Sequence, residues 1–301
     1  MNSLTVLETT LLDLLYELGE EQPPFILAGG YGVYRLLIRA RQRGERTLLS
    51  AWPEERSTND LDLFLRPEVL LSPLHVDRFA HALDTLGFTP VKGSEYYQFS
   101  RRAPGAAAGV VKIDLLTGPR AWFAGTHVHT DSRRARPRPS SQLHAHPVEE
   151  ALTLVERVGM DNIEGTLSTG ANWHAVIHLP QMYTFLLMKI FAFADRHQDA
   201  AVDYGRHHVL DMYAIMAATS ESQWRSALEL KTAYSTHPTV LAASAHVGKL
   251  FPTSDSIGML RLRESPYYRD GMDVDEFLSI LHELFPPAGQ AHGQRDTSTR
   301  H

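Results

Sequence analysis

At 301 residues with 43% hydrophobic content, the chain is long enough to bury a sizeable core, as one large or two modest domains. It has no cysteine, which excludes a disulfide framework and a cysteine-based zinc site. A net charge of −6 argues against coating a long nucleic-acid duplex, while leaving room for a local basic patch.

The N-terminal segment carries acids among its leucines and no basic leader, so it reads as an amphipathic helix and not as a signal peptide. Leu4, Leu7, Leu11, Leu14, Leu15 and Leu18 recur at helical spacing, which predicts a helix packed on a sheet. No run approaches the roughly 18 apolar residues of a membrane span. The expectation is a soluble, cytoplasmic protein.

Residues 25–66 organise the chain. An apolar run, Phe25, Ile26, Leu27 and Ala28, breaks at Gly29-Gly30, and a helix is expected over 31–43. Gly permits close backbone approach to an anion, and the following helix would aim its positive end at the same place. Arg35, Arg39 and Arg43 fall four apart on that helix, either as a solvated face or as a phosphate contact. A second strand, 60–66, opens with Asp60-Leu61-Asp62. Strand alternation puts Asp60 and Asp62 on one face and Leu61 and Leu63 on the other. Two ionised carboxylates on one face need partners that apolar packing cannot give, and Mg²⁺ is the natural one.

A helix over 75–86 follows, with Val76, Phe79, Ala80 and Leu83 on one side and Gly87 ending it. Strands are expected at 96–101 and 110–116. The second contains Asp114 amid apolar residues, either paired with Lys112 or serving as a third carboxylate beside the first two. The latter is what two-metal chemistry requires. Residues 118–147, rich in Arg, Pro, Ser and His, read as a functional loop or an inter-domain connection. There Arg133, Arg134, Arg136 and Arg138 either meet RNA phosphates or belong to a solvated linker. The pairs His127/His129 and His144/His146 have a metal-binding spacing but sit in an expected loop.

From about Val148 the pattern reads as helical. A well-buried helix is expected over 179–195, with Lys189 either reaching the surface or emerging at a ligand. In a next helix, 204–218, His207 and Asp211 share a face at i, i+4. Asp273 and Glu276 suggest a capped start for a helix over 274–285, which Pro286-Pro287 ends. The domains read as 1–147, 148–285 (helical), and a disordered tail over 286–301.

Gly29-Gly30, a helix, and then Arg56, Thr58, Asp60, Leu61 and Asp62 together resemble the nucleotidyltransferase superfamily, with its polymerase-beta-like fold, and within it the AbiEii-type branch of toxin–antitoxin nucleotidyltransferases. Lys189, Arg196 and Leu210-Asp211-Met212-Tyr213 match that branch in order, whereas His208 stands where an acid is usual. The resemblance implies an α/β nucleotidyltransferase domain with a small mixed sheet, plus a helical C-terminal domain. It implies Asp60, Asp62 and Asp114 as ligands of two Mg²⁺ ions, with Asp114 as base. Gly29, Gly30 and Thr58 would contact phosphates or hold the carboxylates, Lys189 and Arg196 would neutralise an NTP, and Asp211 would complete the pocket. The implied acceptor is the 3′ end of a tRNA, with an antitoxin as partner. A small-molecule or protein hydroxyl as acceptor, and a non-catalytic nucleotide-binding module, are the alternatives, with a histidine-based metallohydrolase more distant.

Overall fold

The computed structural model describes residues 3–19, 24–103, 109–138 and 142–287. Helix α1 (Ser3–Leu18) carries the predicted leucines inward and packs on α4 and on a hairpin described below. Strand β1 (Phe25–Ala28) runs directly into α2 (Gly29–Arg43), which begins two residues earlier than its pattern suggests because Gly29 adopts φ +62° at the corner. Strand β2 (Asp60–Leu65) is followed by α3 (Pro67–Leu71) and α4 (Pro73–Thr85). Ser72 caps α4 by accepting from His75 N, and Gly87 (φ +73°) closes it. Then come β3 (Thr89–Pro90), β4 (Gln98–Arg102) and β5 (Val110–Thr117). The sheet runs β1-β2-β5-β4-β3, with β2 and β5 parallel and the other pairs along this path antiparallel.

The described residues of the Arg-rich stretch, 118–138 and 142–147, are folded onto the sheet. Its strands β6 (His129–Thr130) and β7 (Ala135–Arg136) form a hairpin, and β8 (His146–Pro147) joins β5 in parallel. Phe123, Val128, Ala135, Leu143 and Ala145 bury themselves there. Arg136 pairs with Asp131 at 2.9 Å, and Arg134 lies over the Tyr96 ring. Of the histidines, His144 stacks on Tyr96 at 4.4 Å and His146 Nδ1 meets Arg133 O at 2.9 Å, whereas His127 and His129 are exposed.

The region after Val148 departs from its helical reading. Strands β9 (Gly159–Thr166) and β10 (Asn172–Leu179) form an antiparallel hairpin that lies against α1 and β1. Helices begin only at α5 (Met182–Arg196), followed by α6 (Arg206–Ala217), α7 (Glu221–Ala233), α8 (Pro238–Leu250), α9 (Ile257–Arg263) and α10 (Val274–Leu284). Asp273 caps α10 by accepting from Glu276 N at 3.0 Å, as its sequence suggests. Beyond Pro287 the tail lies outside the described residues. The fold is thus mixed α/β with a small mixed sheet and a helical C-terminal region. Helix α2 packs on β2 and on α6, so the Gly29-Gly30 corner lies where the two regions meet. Among the described residues no helix is long and apolar enough to cross a membrane.

Candidate functional site

Strand register decides which side chains meet. In the parallel β2–β5 pair Asp62 lies beside Asp114, and Asp60 beside Lys112. On β4, Gln98 lies opposite Asp114. Leu61, Leu63, Val111, Ile113 and Leu115 turn into the core, and by alternation the three acids stand together on the other face. Their crowding shows in their protonation. Burial, and then repulsion from Asp62 and Asp60, pushes the Asp114 carboxyl up to about 7. Burial also raises Asp62, with Asp60 pushing the same way and Lys189 opposing. Lys112 is exposed and exerts the weakest of the pulls on Asp114, so the same-face ion pair does not explain that acid. Asp114 Oδ1 is buried and has no hydrogen-bond partner.

An all-oxygen donor set with an unpartnered buried oxygen suits a hard divalent cation in kind. Among the described residues, however, no three His, Asp or Glu side chains are gathered closely enough to hold a metal ion. The acids are neighbours on the sheet but not a closed ligand set.

The two glycines have a local reason. A Cβ on Gly29 would overlap the Asp62 carboxylate, and a Cβ on Gly30 would overlap the Arg56 guanidinium. The space over each is therefore taken by one of the chain's own charged groups. Thr58 steadies the start of β2, its hydroxyl accepting from Asp60 N at 3.4 Å.

A cationic cluster lies next to the acids. Asp211 is 3% exposed and binds Lys189 Nζ at 2.7 Å and Arg56 Nε and Nη2 at 3.2 Å each. Burial acts to raise Asp211, but Lys189 and Arg56 hold it below the ordinary carboxylate value. Lys189, only 7% exposed, neither reaches the surface nor opens on a cleft; it is locked to Asp211. Likewise Asp211 is buried and partnered across the molecule, not by His207 on its own helix. Arg196 Nη1 contacts His208 Nε2 at 2.8 Å, so His208, in the place of the usual acid, serves as a neutral acceptor. Burial, followed by the surrounding cations, drives His208 far down and lowers His207 to about 4. The expected Arg35–Arg39–Arg43 ridge is broken at its first step, whereas Arg43 is exposed as a solvated face requires. Arg35 is 5% exposed and bound to Asp161 at 2.8 Å.

A cleft of about 610 Å³ opens where the sheet meets the helical region. One wall carries Arg56, Thr58, Asp60 and Lys112, and the other His207 and Tyr267. Of the three acids only Asp60 lines it; Asp62 and Asp114 continue the same strand face next to it. Arg56, Lys112, His207 and Tyr267 are among the cleft residues to which sequence reasoning gave no site role of their own. Arg56 was legible only as a letter of the motif, since its partner Asp211 stands 155 positions away.

No protein-family model matches the chain, and no curated protein matches it. Among solved structures, the chain is similar to the antibiotic-resistance factor ANT(2'')-Ia, at 12% identity over 79% of this chain and 97% of that one, with a TM-score of 0.35. It is also similar to an antigenic nucleotidyltransferase-like protein from Paracoccidioides brasiliensis, at 14% identity over 80% and 91% of the two chains, with a TM-score of 0.37.

Proposed function

We propose that the chain is a metal-dependent nucleotidyltransferase of the polymerase-beta-like superfamily. The observation that carries this is the register of Asp62 beside Asp114 on parallel strands, with Asp60 two residues before and opening on the cleft. Beyond burial, Asp62 and Asp60 act to raise Asp114, a repulsion that a shared positive ion would relieve.

Asp60, Asp62 and Asp114 would hold the ion, and a Mg²⁺ pair there would neutralise phosphate charge and polarise the α-phosphate of an NTP. Asp114 would take the proton from the attacking hydroxyl as that oxygen bonds to the α-phosphate and the α–β phosphoanhydride bond breaks, releasing pyrophosphate. Lys189 and Arg196 would add positive potential toward the triphosphate, and Thr58 would keep Asp60 in place. Positioning and charge stabilisation carry most of such a reaction.

The order of motifs, Gly29-Gly30 through Asp62 and then Lys189 to Tyr213, supports the AbiEii-type branch as the finer reading. On that reading the acceptor is an RNA hydroxyl such as the tRNA 3′ end, the protein is a cytoplasmic toxin, and an antitoxin restrains it.

The test is incubation with each α-labelled NTP and Mg²⁺ against total tRNA, protein extract or small-molecule acceptors. Label is expected in RNA. Asp62→Asn should lower transfer by about 10²-fold or more, the scale for losing one preorganised electrostatic contact. Equal transfer by Asp62→Asn, or no label in any acceptor, overturns the reading. Label in protein or in a small molecule keeps the chemistry and removes the toxin assignment.

A further inference from the structure

Asp211 joins two cations to one anion in a buried cluster, so Arg56, Lys189 and Asp211 together carry one positive charge beyond what the cluster neutralises. Lys189 is shut away from the cleft, but Arg56 is part of its wall. The guanidinium is divided between two sides. Nε and Nη2 form a fork on Asp211, each at 3.2 Å, whereas Nη1 reaches only Ser57 O at 3.4 Å. A planar, five-donor group held rigidly on one edge presents its other edge as a ready contact for an oxyanion. The rigidity comes from below as well, because the guanidinium occupies the volume that a side chain at residue 30 would fill.

We propose that Arg56 is a phosphate-contacting residue of the cleft, that Asp211 is the positioning residue that presents it, and that residue 30 is glycine in order to seat it. The ligand class is a phosphoanhydride chain. The phosphate assignment rests on the nucleotidyltransferase reading above, whereas the seating of Arg56 on Gly30 does not. It differs from a turn in which Gly30 serves phosphate through its own backbone, and a double-mutant cycle separates the two.

ATP and inorganic triphosphate are titrated calorimetrically into wild type, Arg56→Gln, Gly30→Ala and the double variant. Arg56→Gln is expected to weaken both probes about 10–100-fold, the span for one charged hydrogen-bonding group. Gly30→Ala, which removes no charge, should do the same by displacing the guanidinium, and the double variant should bind no worse than Arg56→Gln alone. Arg56→Lys keeps the charge but not the fork, and should fall with Arg56→Gln. Wild-type affinity in Arg56→Gln overturns the proposal and leaves the nucleotide reading standing. Losses that multiply in the double variant overturn the seating role of Gly30. Should the wild type bind neither probe, the nucleotide reading and the phosphate contact fall together. Thermal midpoints of the same four proteins without ligand then decide the seating, with non-additive shifts supporting it and additive ones refuting it.

Discussion

Gly29 carries two constraints at once, a left-handed φ of +62° and the Asp62 carboxylate in the place of a side chain. Gly44 shares only the first: its φ is +59° and nothing lies within 4 Å of its would-be Cβ. Gly44→Ala should therefore cost about 1–2 kcal/mol for backbone strain alone. Gly29→Ala should cost that plus a further ~1–3 kcal/mol of overpacking, and should abolish the proposed nucleotidyl transfer by displacing Asp62. Urea denaturation of the two variants isolates the difference, and equal costs would show that Asp62 moves aside freely. Asp211 gives a second comparison at this scale. Its carboxyl is depressed by Lys189 and Arg56 below an ordinary 3.8, so its stabilisation is complete above that value and is lost as the pH falls through the folded-state value. Asp211→Asn leaves buried Lys189 without its counter-charge and should destabilise by about 3–5 kcal/mol at neutral pH. The gap to wild type should stay constant down to about pH 4 and narrow only below it, which denaturation at stepped pH would show. Asp60 and Asp62 were legible in the sequence as a pair because strand alternation fixes their common face, whereas placing Asp114 beside them took the β2–β5 register, which no local pattern records. The Arg56–Asp211 pairing was not legible either, because nothing local records a contact between segments so far apart.

Most elements were legible where one face was apolar. Strand β10 was missed although its inward Trp173, Ala175, Ile177 and Leu179 alternate as a strand, and β9 because its buried face is partly polar. Strands β1, β2 and β5 and helices α1, α4, α5 and α10 follow their hydrophobic patterns within a few residues. Strand β9 hides its pattern because its inward positions read Asp161, Ile163 and Gly165, a poor strand signature. The missing half of the pattern sits on α2. Arg35, read as one step of a surface ridge, reaches across to Asp161 with Nε at 3.0 Å and Nη2 at 2.8 Å, and to Asn162 O at 2.9 Å. Each residue alone looks exposed, and only together are they core. This buried ion pair clamps the hairpin to the helix that carries Gly29 and Gly30. Arg35→Met alone strands buried Asp161 and should cost about 3–5 kcal/mol. Asp161→Leu leaves Arg35 its partner Glu8 at 3.5 Å and should cost less. The double replacement should recover much of the larger loss, because a paired burial is replaceable by apolar packing. Chemical denaturation of the three variants tests this. A double variant as weak as the sum of the singles would mean that the pair holds the hairpin through its hydrogen bonds and not by mutual neutralisation.

For the molecule as a whole, the cleft needs two walls held in fixed relation, and the walls come from opposite ends of the chain. The segment before β2 is tied to the helical region by contacts of unequal strength. Arg269 bonds Glu54 at 2.9 Å, and Ser57 Oγ approaches the Tyr267 OH of the cleft at 3.5 Å, both in the open. Exposed pairs of this kind contribute little to stability and are screened by salt. Beneath them the buried Tyr213 hydroxyl accepts from Asp273 N at 3.0 Å and donates to Ala51 O at 3.1 Å, joining α6, the cap of α10 and the segment before β2 at one atom. Its ring packs on Phe277, with centroids 5.7 Å apart. Tyr213→Phe keeps the ring and leaves one backbone donor and one acceptor to find other partners, which should cost about 1–3 kcal/mol and be insensitive to salt. Glu54→Gln and Arg269→Gln should barely shift the unfolding midpoint, and any shift should vanish at high ionic strength. Hydrogen exchange distinguishes which contact sets the width of the cleft. If Tyr213 does, Tyr213→Phe should speed exchange in the segment before β2 and at the start of α10 together, while the charge variants leave both protected. Faster exchange in Glu54→Gln with none in Tyr213→Phe would transfer that role to the surface pair and make the cleft wider in salt.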